Sequence, residues 1–131
     1  MSQEFDLVVV GSGTTAKNAA YACNDAGWDV AVIDSRPFGG TCVLRGCDPK
    51  KVLVGIAEAV DKHNRHLDKG IRADPAEIDW SSAMAFKQTF VDGVSEGTEQ
   101  ALIDAGIETF HGRARFVDER SIQVGDEQLQ G

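Results

Sequence analysis

The sequence predicts an α/β fold, with helices packed on a parallel sheet and a small antiparallel hairpin towards the C-terminal end. Two valine-rich apolar runs, FDLVVV at 5–10 and DVAVI at 29–33, are typical of buried strands. The stretch between them has small apolar residues at helical spacing. A strand, a helix and a second strand in this order predict a βαβ unit, in which the two strands are parallel.

The first helix is predicted over residues 14–26, and Gly27 fits its C-terminal cap. One face of this helix carries alanines and Cys23, and such small side chains allow the helix to lie close to the sheet. We therefore expect Cys23 to be a core residue.

Two longer helices are predicted after a cysteine-containing stretch. The apolar spacing predicts a helix over residues 51–66, a polar loop over 68–79 and a further helix over 80–105. Gly93 and Gly97 weaken the middle of that last helix, because glycine is a poor helix former.

The C-terminal part of the chain predicts the hairpin. Residues 107–124 have the pattern of two or three strands, with a tight turn near 118–120. The sequence has no internal repeat and no composition shift that marks a second domain. The 131 residues are therefore predicted to form one modest domain.

Charge and hydropathy exclude several classes of partner. The net charge of −8 disfavours binding to nucleic acid or to an anionic membrane surface, because phosphates would be repelled. No apolar run approaches the ~20 residues of a membrane span, and no basic segment precedes the first apolar run as in a signal peptide. We expect a cytoplasmic protein, and in that compartment paired cysteines are more often catalytic or metal-binding than structural.

The motif GSGTTA follows the first predicted strand and opens the first predicted helix. In this context G-x-G-x-x-A predicts a Rossmann-type dinucleotide turn, in which Gly11 allows the tight turn, Gly13 the approach of a pyrophosphate and Ala16 close packing. The helix N-terminus attracts the phosphates. Asp34 ends the second strand, 23 positions after Gly11, where a carboxylate accepts hydrogen bonds from ribose hydroxyls and disfavours a 2′-phosphate.

Cys42 and Cys47 lie five positions apart in GGTCVLRGCDPKK. On a regular helix their Cα atoms would be about 8.7 Å apart, whereas a disulfide tolerates roughly 4.4–6.8 Å. A bond between them therefore requires a distorted helix, which Gly46 and Pro49 favour. Three interpretations remain open at this point: a redox dithiol, two unrelated buried thiols, or a zinc site with His63 and His66.

These motifs resemble the FAD-dependent pyridine nucleotide–disulfide oxidoreductases, the family of glutathione reductase, dihydrolipoamide dehydrogenase and mercuric reductase. GGTC, then GC, then Pro and Lys at the family's spacing follow the glycine turn and Asp34, and GIETFHGRARFVDERSIQV resembles a later family segment. The resemblance implies an incomplete FAD-binding domain, FAD as cofactor, NAD(P)H as electron donor of the full-length enzyme, and a small-molecule disulfide or related substrate. It implies no metal.

The resemblance also assigns roles to residues. Cys42 would exchange with substrate, Cys47 would lie against the flavin as the charge-transfer thiol, and Lys50, or alternatively Lys51, would approach flavin N5. Arg113 and Ala114 would meet the adenine through their backbones. The cofactor-binding set implied as a whole is Gly11, Ser12, Gly13, Thr14, Thr15, Ala16, Asp34, Ser35, Arg36, Gly40, Thr41, Cys42, Cys47, Lys50, Lys51, Arg113 and Ala114.

Two departures from the family pattern concern the cysteine stretch. Leu44 and Arg45 stand where the family often has Asn and a small or apolar residue, and Asp48 stands where it usually has an apolar one. We expect Asp48 to cap the following helix, with Pro49 at its first position. The alternative is that its carboxylate disfavours a thiolate at Cys47.

Family members are much longer and carry a second glycine fingerprint, further FAD-domain strands and an interface domain that forms homodimers. We therefore expect residues 1–131 to be the N-terminal part of an FAD-binding domain, without the NAD(P)-binding and dimerisation domains, and inactive alone. Open sheet edges favour self-association of such a chain. The competing interpretation is a non-catalytic dinucleotide-binding module, or one whose thiols sense oxidation.

Overall fold

The computed structural model of the chain describes residues 2–131. It contains seven strands and five helices, which we number separately in chain order. The strands are β1 Ser2–Glu4, β2 Leu7–Val10, β3 Val30–Asp34, β4 Glu108–His111, β5 Arg115–Phe116, β6 Ser121–Val124 and β7 Glu127–Gln130. The helices are α1 Thr14–Asp25, α2 Gly40–Arg45, α3 Cys47–Arg65, α4 Trp80–Gln88 and α5 Val94–Asp104.

The strands form a parallel sheet and a mixed sheet. The parallel sheet has the order β2-β3-β4, and β2, α1 and β3 form the predicted βαβ unit. The second sheet has the order β1-β7-β6-β5, with antiparallel β5–β6 and β6–β7 pairs and a parallel β1–β7 pair. The predicted α/β fold with a parallel sheet and an antiparallel hairpin is confirmed.

β3 lies at the centre of the core because both of its faces are covered. Val30 and Val32 point into a cluster with residues of α1 and α5, whereas Ala31 and Ile33 point into a cluster with residues of the second sheet. Residues 30–33 are each at most 2% exposed. The molecule therefore has three layers, and the two clusters hold β3 up to Ile33, the residue before Asp34.

The structure differs from the predicted helices and strands at places where neighbouring residues in the sequence give little indication of the structure. The helix predicted over 80–105 is two helices, because Gly93 takes a left-handed φ of 76° between α4 and α5. α3 begins at Cys47 rather than at Lys51. β1 is polar and was not predicted, since its stability comes from pairing with β7 at the far end of the chain.

The predictions for α1 hold with one refinement. α1 ends at Asp25, and Gly27 follows it with a φ of 88°, as expected for a glycine after a helix. Cys23 is only partly buried, although it does pack against the core cluster on the α1 side of the sheet. None of the helices in residues 2–131 combines the length and the apolar character that a bilayer crossing requires.

Candidate functional site

The glycine turn connects β2 to α1 at the carboxyl end of the parallel sheet. Gly11 has a φ of 104°, which favours glycine, and its N–H donates to the Ile33 carbonyl at 2.7 Å. The turn is thereby anchored to β3, the best-covered strand of the molecule. This end of a parallel sheet is where α/β proteins bind their ligands.

Gly13 leaves open space in front of α1. It is the N-cap of this helix, no side chain in the described part of the chain caps it, and a Cβ atom at Gly13 would meet no atom within 4 Å. The first-turn N–H groups, with the positive end of the helix dipole, therefore face a gap that accepts an anion. Thr14, Thr15 and Ala16 form that first turn. The residues present fit the pyrophosphate of a dinucleotide.

Asp34 is held by the glycine turn. Its Oδ2 accepts from the Ser12 N–H at 2.9 Å and from the Ser12 hydroxyl at 2.5 Å, and its Oδ1 accepts from the Arg36 N–H at 2.9 Å. Ser12 is fully buried. The carboxylate is thus fixed at the end of β3, with remaining acceptor capacity for ribose hydroxyls.

A cleft of about 430 Å³ opens beside Asp34. Glu99 of α5 faces it, accepting from Thr109 Oγ1 at 3.0 Å and lying 2.6 Å from His111 Nε2. The lining consists of Asp34, Ser35, Arg36, Pro37, Ser95, Glu96, Glu99, His111 and Gly112. Arg113 and Ala114 follow directly after this lining, and Ala114 packs against the core cluster of the second sheet.

Sequence reasoning missed part of this cleft. Glu99 gives no signal, because the helix over 80–105 is predicted from its apolar residues alone. Gly112 had a recoverable signal, since a glycine between two polar residues after a strand suggests an unusual backbone conformation. Its φ is 147°, and its N–H donates to the Asp34 carbonyl at 2.9 Å.

Cys42 and Cys47 form a disulfide across the junction of α2 and α3, with their Cα atoms 4.7 Å apart. Gly46 separates the two helices with φ −128° and ψ −108°, so the helix is broken between the cysteines as expected. A Cβ atom on Gly46 would lie 2.9 Å from the Thr41 carbonyl oxygen, so this sharp junction needs glycine. Cys42 is half-buried and Cys47 is exposed.

The cysteine helix α2 begins against the glycine turn. Gly40 is its first residue and has a φ of 76°. A Cβ atom on Gly40 would lie 2.5 Å from the Gly13 Cα atom and 3.2 Å from its nitrogen. The structure therefore brings the dinucleotide turn and the disulfide together through contact between two glycine backbones.

The expectation that Asp48 caps α3 is wrong. The N-cap is Gly46, with no side chain bonded to the terminus, and Pro49 is the third helical residue rather than the first. The reason is that the chain turns at Gly46, so that Cys47 already belongs to the helix. The Asp48 carboxylate instead lies 3.9 Å from Lys51 Nζ, and Lys50 is exposed beside the buried Pro49.

The alternative role of Asp48, an effect of its charge on the neighbouring Cys47, stays a prediction. In the reduced chain we expect Asp48→Asn to raise the rate of Cys47 alkylation by iodoacetamide about two- to fivefold at neutral pH, because a neighbouring carboxylate disfavours the thiolate. Mass spectrometry of the Cys47 peptide measures this rate. Glu58→Gln, the same charge change farther along the exposed side of α3, is the control. Equal rates in Asp48→Asn and the unaltered chain would contradict the prediction.

The four zinc-ligand candidates do not form a ligand set. His63 Nε2 lies 3.0 Å from the Asp74 carbonyl, and His66 Nδ1 lies 2.8 Å from the Lys62 carbonyl. Within residues 2–131 no three His, Cys, Asp or Glu side chains are grouped so as to hold a metal.

Known disulfide oxidoreductases have sequences similar to this chain. The chain is 34% identical over 125 residues to a dihydrolipoyl dehydrogenase of Chlamydia muridarum, covering 95% of this chain and 27% of the relative. It is 31% identical over 126 residues to a glutathione reductase of Nostoc sp., covering 96% of this chain and 28% of the relative. The chain thus spans little more than a quarter of the length of these relatives.

A solved structure has a similar fold. The Cu(II) complex of the HOCl-induced flavoprotein disulfide reductase RclA from Escherichia coli matches with a TM-score of 0.77 and 26% sequence identity, over 98% of this chain and 27% of the other. The family described as pyridine nucleotide-disulphide oxidoreductase matches residues 5–130, nearly the whole chain. The chain therefore belongs to the pyridine nucleotide-disulphide oxidoreductase family.

Proposed function

We propose that residues 1–131 are the N-terminal part of an FAD-binding domain and supply the FAD-binding, redox-active-disulfide portion of a flavin-dependent NAD(P)H:disulfide oxidoreductase. The observation that carries this proposal is the contact between Gly40, which begins the cysteine helix, and Gly13 of the dinucleotide turn. A cofactor bound at the turn is thereby next to the element that carries the disulfide. FAD, when bound, accepts electrons from NAD(P)H and makes them available to the disulfide.

The chain's own groups bind three parts of that cofactor: the pyrophosphate, the adenosine and the flavin. The first-turn N–H groups of α1 meet the pyrophosphate, and the open space at Gly13 admits it. Asp34 accepts from the adenosine ribose, and Ser35, Arg36 and Gly112 line the cleft beside it. Arg113 and Ala114 offer backbone groups to the adenine. The flavin would lie near the disulfide, and the residues assigned to it are in the two helices that carry the cysteines: Thr41 in α2, and Lys50 and Lys51 in α3.

The dithiol form of Cys42 and Cys47 reduces the substrate in two exchanges. The Cys42 thiolate attacks one sulfur of a small-molecule disulfide, whose S–S bond breaks, and the leaving thiolate takes up a proton. The Cys47 thiolate then attacks Cys42 sulfur, which releases the second substrate thiol and restores the Cys42–Cys47 disulfide. Two electrons and two protons pass to the substrate.

The spectrum of the reduced chain with FAD tests the proposal. We expect one FAD per chain, bound weakly, and a long-wavelength band after excess dithiothreitol because the Cys47 thiolate lies against the flavin. The band should be absent from Cys47→Ser and present in Cys42→Ser. Saturable FAD binding measured by equilibrium dialysis accompanies the spectra.

Two outcomes would count against the proposal: no FAD binding, or a band that survives Cys47→Ser. Reversible oxidation of the cysteine pair without any FAD binding would instead favour the thiol-sensing module.

A working dithiol requires a reducing compartment, which leads us to propose the cytoplasm. Homodimer formation by the longer protein and self-association of the chain along the β2 edge stay predictions; Val10 on that edge is 56% exposed.

A further inference from the structure

Ser12 links the nucleotide cleft to the start of the cysteine helix. Its side chain is fully buried, and its hydroxyl has a partner on each side. The hydroxyl donates to Asp34 Oδ2 at 2.5 Å and accepts from the Gly39 N–H at 3.0 Å. A buried hydroxyl with both roles filled has one orientation, so the positions of the carboxylate and of Gly39 depend on each other.

Gly39 is the last residue before the cysteine helix. It is the N-cap of α2 with a φ of 127°, and Gly40 after it packs on Gly13. Cys42 follows within the first turn of α2. The hydrogen bonds from Asp34 through Ser12 to Gly39 therefore form a continuous connection from the ribose-binding carboxylate to the element that positions Cys42.

We propose that Ser12 is a positioning residue that couples occupation of the adenosine end of the cleft to the thiol–disulfide equilibrium of Cys42 and Cys47. The proposal rests on the proposed function, because it requires a nucleotide at Asp34. Ribose hydroxyls that donate to Asp34 fix its carboxylate, the carboxylate fixes the Ser12 hydroxyl, and the hydroxyl holds Gly39. α2 then stays where the Cα atoms of Cys42 and Cys47 are 4.7 Å apart, as the disulfide requires.

The coupling has a defined sign. A nucleotide that holds α2 in this arrangement raises the effective concentration of one cysteine at the other, and so favours the disulfide. By linkage, the oxidised chain binds the nucleotide more tightly than the reduced chain by the same factor. In glutathione buffer the exchange is balanced: the protein dithiol and one oxidised glutathione give the protein disulfide and two reduced glutathiones.

ADP is the probe of choice, because it carries the adenosine and pyrophosphate but no flavin that touches the thiols. The chain is equilibrated in glutathione buffers with and without saturating ADP, quenched by alkylation, and analysed by mass spectrometry. We expect ADP to shift the equilibrium towards the disulfide by about fivefold, near the lower end of typical couplings between sites. In Ser12→Ala the shift should fall below about twofold, and Ser12→Thr, which keeps the hydroxyl, should retain more of it.

A matched control tests whether the loss of any buried serine hydroxyl would reduce the ADP-dependent shift, or only the loss of the one at Ser12. Ser121 is also buried, and it lies in the second sheet, away from the cleft. The Arg120 N–H and then the Ser121 hydroxyl lower the pKa of Asp118, so Ser121, like Ser12, is a buried serine near an aspartate. Ser121→Ala should keep the full ADP-dependent shift.

The outcomes separate this inference from the proposed function. If the unaltered chain binds neither ADP nor FAD, the proposed function fails. If ADP binds but Ser12→Ala keeps the full shift, Ser12 has only a structural role and the inference is overturned. If a Ser12 variant does not fold, the ADP affinities of the oxidised and reduced forms of the unaltered chain are compared instead. Equal affinities would overturn the inference.

Discussion

Gly13→Ala should remove most of the affinity for FAD while the fold stays intact. Gly13 has φ −69° and ψ 175°, which alanine adopts readily, and the new methyl group would meet no protein atom within 4 Å. The methyl group instead enters the space in front of α1 that the pyrophosphate needs. Losing two hydrogen bonds to a charged phosphate, worth about 1.5–3 kcal/mol each, weakens binding by about a hundredfold or more.

Equilibrium dialysis measures the FAD affinity of Gly13→Ala, and a thermal unfolding curve shows whether its fold is intact. Gly55→Ala is the matched control, because Gly55 is an exposed residue of α3 whose Cβ position is also open. It should leave FAD affinity unchanged. If Gly13→Ala binds FAD as well as the unaltered chain, the pyrophosphate does not lie at α1; if it unfolds, the space at Gly13 is not open.

Gly40→Ala, unlike Gly13→Ala, should cause a large loss of stability. The added Cβ atom would lie 2.5 Å from the Gly13 Cα atom, and Gly40 has a φ of 76° that alanine adopts at a cost. Both obstacles are backbone, so no side chain can move aside. We expect the free energy of unfolding of the oxidised chain to fall by about 2–4 kcal/mol.

Urea denaturation measures this change, and Gly55→Ala is again the control. In the middle of an exposed helix alanine is preferred to glycine by about 0.5–1 kcal/mol, so this control should gain stability. FAD affinity of Gly40→Ala should also fall, because the glycine turn, which we propose as the pyrophosphate site, is displaced with it. A Gly40→Ala chain as stable as the original would refute the contact between the two glycine backbones.

The sequence alone predicted the elements whose signals are local. The valine runs placed β2 and β3, and the glycine motif placed the turn between them, because both patterns reflect burial and backbone geometry at adjacent residues. β1 escaped prediction because three polar residues carry no strand signal without their distant partner β7. The glycine at position 93 predicts a weak point in the helix, but only its left-handed conformation shows that the helix is interrupted there and a second one begins.

The cysteine pair of the candidate site is found from the sequence, whereas Glu99, Gly112 and the contacts between the site's residues are not. The spacing of Cys42 and Cys47 predicts a broken helix if the two cysteines bond, since a regular helix holds such positions too far apart for a disulfide. The position of that break relative to Asp48 was not predictable, because the conformation of Gly46 decides where α3 begins. The bridging hydroxyl of Ser12 joins residues remote in sequence, and no local pattern encodes such a bond.

β3 and β4 are hydrogen-bonded neighbours, although α2, α3, α4 and α5 all lie between them in the chain. The connecting segment, residues 35–107, therefore leaves the sheet at the end of β3 and returns to it at the neighbouring strand. Because the entropy of closing such a loop grows only slowly with its length, we expect a change of length within 68–79 to leave both strands in place. The register of the strands is therefore expected to depend little on the length of the polar loop that lies farthest along the chain from both of them.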